Sequence, residues 1–384
     1  MKSILLGSLV LALTGCATVD RTLEQWSSKN NSKREYEVKT AWVRQTTVKD
    51  NLGFRKINRM TPLLVNDLVI QGNGLDGIVA YEKESGRQKW RLAIPNGVEP
   101  SATSIRDRLF VGASDGNFYS VESSSGQIQW SFPTKAENLS APLLEEGVVY
   151  FLAGNNVFYA LDAATGRQLW LYSRQDTSQF SIRGGSQAAF YNGTLYVGFS
   201  DGSLVALNAK TGAVVWELQL NRNKRFRDID ATPVIDGNQI YIAGYDDKLY
   251  CVSLDKGEVI WRIDGGGYSA VTMVGDKIIY PTTNGEVWAL KKANGDKVWS
   301  YKLKEGIATQ VKAYKGSLVF GESQGKLKFL DPNSGAELGA MEPGRGILST
   351  PQVDEKAGRV YFISGEANLF AINAGWIKTP YFKE

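Results

Sequence analysis

Two cysteines, Cys16 and Cys251, and no histidine occur among 384 residues. The commonest general base and metal ligand is therefore absent, and neither a Ser/His/Asp triad nor a two-cysteine zinc site can be assembled. Cys251 shares a repeat column with Ala80, Ser120, Ala160, Ala206 and Ala289, so it reads as a small core residue and not as a reactive thiol. The densest charge is the run Arg222-Asn223-Lys224-Arg225-Phe226-Arg227, four cations around one aromatic ring. That pattern suits a solvated loop, or the docking of an acidic partner or membrane surface. With a formal charge of only +4 spread along the chain, there is no nucleic-acid footprint. No catalytic, cofactor-binding or metal-binding residue is assigned.

Cys16 stands in a different setting. Met1-Lys2-Ser3 precedes an apolar run from Ile4 to Leu13 that is too short to cross a bilayer and reads as a signal-peptide core over residues 1–15. Leu13-Thr14-Gly15-Cys16 resembles the lipobox of bacterial lipoproteins, in which the cysteine is acylated and becomes the first mature residue. Several acyl chains, at about 0.8 kcal/mol per buried methylene, hold a protein on a membrane where one does not. Ala17 at the next position resembles an outer-membrane sorting address. Residues 16–36 are polar and read as a lipidated tether.

The remainder is built from one repeated unit, seen in Tyr159 to Trp170. Aligned on a glycine and the residue four positions later, the copies are Gly86/Trp90, Gly126/Trp130, Gly166/Trp170, Gly212/Trp216, Gly257/Trp261, Gly295/Trp299 and Gly335/Gly339. The tryptophans lie 40, 40, 46, 45 and 38 residues apart, the period of a four-stranded propeller blade. Each copy holds short β-branched and aromatic strands, with dipeptides such as Asp115-Gly116 and Asp201-Gly202 expected to form two-residue hairpin turns. A fixed register places the indole between adjacent sheets, where full burial is worth roughly 4 to 6 kcal/mol as an upper bound. An eighth copy, from Thr350-Pro351 to Ile372, lacks a fourth strand, and Val38 to Val43 with Trp42 is an unpaired strand of that kind. The expectation is an all-β, eight-bladed β-propeller of four-stranded antiparallel blades over residues 37–384, closed by the N-terminal strand. Trp376 falls outside the register and reads as tail packing.

Gly202-Ser203-Leu204-Val205-Ala206-Leu207 followed by Gly212 and Trp216 resembles the repeat of the pyrroloquinoline quinone (PQQ) enzymes, over residues 38 to 373. Dehydrogenases of that class imply calcium and, in many, vicinal cysteines, which this chain lacks. With its lipobox, length and single ring, the chain resembles the BamB family, lipoprotein subunits of the outer-membrane β-barrel assembly (BAM) complex. The resemblance implies a non-enzymatic scaffold on the periplasmic face of the outer membrane. Its partners would be the POTRA domains of BamA, other BAM subunits and nascent outer-membrane proteins. Two connections look longer than the rest, Ser173 to Gln187 and Asn221 to Asp230, and both emerge on one face of the ring. Phe180-Ser181-Ile182-Arg183-Gly184 and Asp228-Ile229-Asp230 within them resemble the segments that contribute the BamA contact. Phe180, Ile182, Arg183, Asp228 and Asp230 inherit that role, or the charged groups merely pair and stiffen the loops. The competing readings are a periplasmic ligand-sensing propeller, with a saccharide in the central channel, and a PQQ-dependent dehydrogenase.

Overall fold

The computed structural model describes residues 34–48, 57–174, 185–223, 227–245 and 248–378, so Cys16 lies outside the described residues. Seven consecutive blades occupy residues 63–93, 103–133, 143–173, 189–219, 234–264, 272–302 and 312–341, each an antiparallel meander of four strands. The eighth sheet takes Gln352–Asp354, Arg359–Ile363 and Asn368–Lys378 from the C-terminal end and Arg34–Gln45 from the N-terminal end. The protein is thus the eight-bladed all-β propeller that the repeats predict. Val38–Asn373 forms one compact unit. In the other, Tyr36 meets Trp376 edge-to-face at 5.3 Å.

The apolar core lies between blades. Ile70, Ile78 and Val98 cluster with Leu109 and Val121 across the first and second sheets, and Leu195 and Val205 pack with Tyr150 and Phe158 across the third and fourth. Each middle strand is buried on both faces, as sheets stacked side by side require. Cys251 is fully buried in such a cluster, and burial pushes its thiol up to about 12, so it stays protonated and inert.

The repeat tryptophans sit on the outermost strands. In the third blade Trp170 pairs directly with Ala160, while the next pair is Leu161 with Gln168, so Leu169 is bulged out. The same shift recurs in every blade from the first to the seventh. The small column that includes Cys251 leaves room for the indole opposite it. Each indole then reaches into the next blade: the Nε1–H of Trp42, Trp90, Trp130, Trp170, Trp216, Trp261 and Trp299 donates to the carbonyls of Lys83, Ser123, Ala163, Ala209, Leu254, Lys292 and Pro332. The ring lies on that blade's turn glycine. A Cβ on Gly212 would stand 2.7 Å from Trp170 Cε3, and its φ of +71° is left-handed.

Two expectations need correction. Only Trp42 and Trp90 are buried below a tenth of their surface; the other five are half-buried, so the full burial energy applies to two positions. The Asp-Gly dipeptides do not form two-residue turns. Between the second and third strands of the second blade, the Gly116 N–H bonds the Ala113 carbonyl and only Gly116 has positive φ, which makes a turn with a glycine bulge. The two-residue turns instead join the first and second strands, as at Glu146-Gly147, where both φ values are positive.

Candidate docking face and central channel

The first long connection leaves the third blade at Arg174. Its guanidinium donates to Asp201 Oδ2 at 2.7 Å, Glu217 Oε1 at 2.8 Å and Tyr172 Oη at 3.1 Å. These bonds raise its pKa further and fasten the root of the connection to the fourth blade. Phe180, Ile182 and Arg183 lie outside the described residues. The chain is described again from Gly185, and there the two connections meet: buried Ser186 Oγ donates to the Ala231 carbonyl at 3.0 Å.

The second connection is folded down against the fourth blade. Leu220 and Asn221 both donate to the Gly202 carbonyl at 3.0 Å, and Ile229 N donates to Phe199 O at 3.2 Å. Gly198 permits this approach, because a Cβ there would collide with the Ile229 carbonyl. Asp228, to which the resemblance gives a part in the partner contact, has no exposed surface. Asp230 instead lines the central channel. Burial, then repulsion from Asp228, outweighs attraction from Arg59 and raises its carboxyl to about 8. Its mostly protonated form at neutral pH is a hydrogen-bond donor.

A third long connection went unseen in the sequence. Residues 46–62 join the closing strand to the first blade, 17 residues against 15 for 174–188 and 14 for 220–233, with no other fourth-to-first connection above 10. The Trp42 to Trp90 distance of 48 carried that signal, hidden because Trp42 belongs to the eighth blade. Arg59, near its end, reaches the same channel.

The channel encloses a cavity of about 370 Å³ lined by all eight blades. One equivalent position per blade forms a ring: Thr61, Ser101, Gln187, Thr232, Gln310 and Thr350 are polar, and Ala141 and Ala270 complete it. Two residues earlier in their blades stand Arg59, Glu99, Asp230 and Tyr268; two residues later, Lys312 and Gln352. The ring positions run 40, 40, 46, 45, 38, 40 and 40 residues apart, the spacing of the tryptophans, and could have been read from them. Among the described residues, no group of three or more Cys, Asp or Glu side chains is placed to hold a metal.

The profile of the family described as outer membrane protein assembly factor BamB matches residues 24–134, 74–301 and 236–375. The chain belongs to the BamB family. Its relatives in that family include BamB of Shewanella oneidensis, 26% identical over 97% of this chain and 98% of that one, and BamB of Yersinia pestis, 24% identical over 92% and 94%. Among solved structures, BamB from Moraxella catarrhalis aligns with a TM-score of 0.74 at 19% identity, covering 88% of this chain and all of that one. Quinohemoprotein alcohol dehydrogenase from Comamonas testosteroni aligns at 0.70 with 13% identity, over 88% and 76%. Both structural likenesses show the fold alone.

Proposed function

We propose that this chain is a non-catalytic scaffold of the outer-membrane β-barrel assembly complex. It docks the POTRA domains of BamA and assists folding and insertion of outer-membrane proteins, alongside the other BAM subunits. The observation that carries this reading is the Ser186 Oγ–Ala231 carbonyl bond, which joins two of the long connections on one face of a rigid ring in a chain of the BamB family. A contact surface built from two segments needs them held in one geometry, and a buried bond between their ends does so.

In this reading Phe180 and Ile182 supply the apolar anchor and Arg183 the charged group, while Asp228 and Asp230 act from the base of the second connection. Large apolar groups and arginine carry most of the energy at interface centres. Lipid on Cys16 holds the protein at the periplasmic face of the outer membrane.

Affinity capture from gently solubilised outer membranes tests the proposal. The lipidated protein should recover a barrel protein with tandem POTRA domains, and the pair Ile182→Asp with Arg183→Glu should abolish recovery. Undiminished capture by that double variant would show that the contact lies elsewhere on the ring.

A further inference from the structure

The channel cavity is lined by residues from all eight blades, and its volume of about 370 Å³ lies within the range of small-molecule sites, about 300 to 1,000 Å³. Ten of its 23 lining residues carry hydroxyl or amide side chains, which recognise a hydroxylated ligand by hydrogen bonds. The charged groups in the lining are not equivalent. Lys312, the first residue of the strand Lys312–Tyr314, has no hydrogen-bond or ion-pair partner among the described residues, and loss of solvent lowers its pKa. Asp230, on the fifth blade, also has no hydrogen-bond partner among the described residues, and its mostly neutral carboxyl can donate to a ligand. An ammonium partly withdrawn from water with no ion-pair partner is costly, and an anion beside it would relieve that cost.

We propose that the central channel is a binding site for a small hydroxylated anion, whose carboxylate or phosphate group sits on Lys312 and whose hydroxyls engage the polar ring that includes Gln310, Thr350 and Thr61. The site does not depend on docking to BamA. Lys312 and Gln310 belong to the seventh blade, Thr350 to the eighth and Thr61 to the first, so the ligand spans three neighbouring sheets.

Titration calorimetry on the full mature chain tests this with three probes: D-glucuronate for the carboxylate, glucose 6-phosphate for the phosphate, and glucose as the uncharged control. The expected result is saturable one-to-one binding of at least one anion, with glucose weaker by about tenfold or more. Lys312→Met, close in shape and uncharged, should weaken the anion by a similar factor. Thermal unfolding of the ligand-free variant separates lost binding from lost folding, and its midpoint should not fall, because a partly buried charge without an ion-pair partner has been removed. Absence of saturable binding by both anions would overturn the proposal. So would equal binding of glucose, or an affinity unchanged in a folded Lys312→Met protein.

Discussion

Phe329 stands directly across the sheet from Gly339, with large and small exchanged relative to the preceding blades, where Ala80, Ser120, Ala160, Ala206, Cys251 and Ala289 each face a tryptophan. Phe329 is fully buried. The exchange has a structural reason. Every other repeat tryptophan rests on the turn between the third and fourth strands of the next blade, and the eighth blade has no such turn because those strands come from opposite ends of the chain. An indole at 339 would have no turn glycine of that kind to rest on.

The exchange predicts coupling. Gly339→Trp should destabilise by about 1 to 3 kcal/mol through overpacking against Phe329, and Phe329→Ala by about 3 to 5 kcal/mol. Together they should cost less than the sum, with a coupling of about 1 kcal/mol or more in a urea double-mutant cycle. Strict additivity would mean that the two side chains do not share the space.

Gly212→Ala should destabilise more than Gly147→Ala. Both residues have positive φ, +71° and +79°, and so share a left-handed penalty of about 1 to 2 kcal/mol. Only at Gly212 does the added methyl meet an indole, while nothing lies within 4 Å at Gly147. Urea midpoints of the two variants isolate the contact, and equal losses would remove it from the account of blade stacking.

Trp90→Ala should cost about 3 to 5 kcal/mol, since Trp90 keeps 8% of its surface exposed. Trp170→Ala removes a half-buried ring and its bond to Ala209, and should cost nearer 3 kcal/mol. A loss below about 1 kcal/mol at either position would argue against stacking through the indoles.

Asp230→Asn should flatten the dependence of stability on pH. Its ordinary value is near 3.8 and its folded value about 8, so between these the folded protein keeps a proton that the unfolded chain has released. Stability contributed through this group therefore falls as pH rises from about 4 to about 8, by at most about 1.4 kcal/mol per unit. Asp228, Arg59, Glu99, Lys312 and the hydroxyls of Tyr245 and Tyr268 share the surroundings and are retained in the variant. Denaturation midpoints at pH 5 and pH 8.5 should differ more in the wild-type protein than in Asp230→Asn.

The ring and its closure were legible because the copies repeat residue types at fixed positions. Trp170 announces its blade, and Trp42 announces a strand that lacks one. Turn geometry was misread because an Asp-Gly pair fits several hairpins, and the deciding quantity is the φ of Asp115, which the sequence does not carry. The channel positions kept the period but not the residue type, running through Thr61, Ala141 and Gln310, so no pattern drew the eye to them. Asp228 and Asp230 look equivalent in sequence, yet one is sealed in the fold and the other meets the channel. In a regular extended segment the two would share a face, so the difference is set by how the connection docks against the fourth blade.

The N-terminal closing strand also fixes an order of events. Thr46 N bonds the Ala367 carbonyl at 2.9 Å across a sequence separation of 321 residues. During synthesis or export in the N-to-C direction, Trp42 must wait for nearly the whole chain before the ring can be sealed, and loop closure over such a length makes this step slow. Until then the first blade stacks on the second alone and its other face lacks the eighth. Seven blades can assemble as a growing spiral, and only the pairing of Asn368–Lys378 with Arg34–Gln45 converts that spiral into a ring.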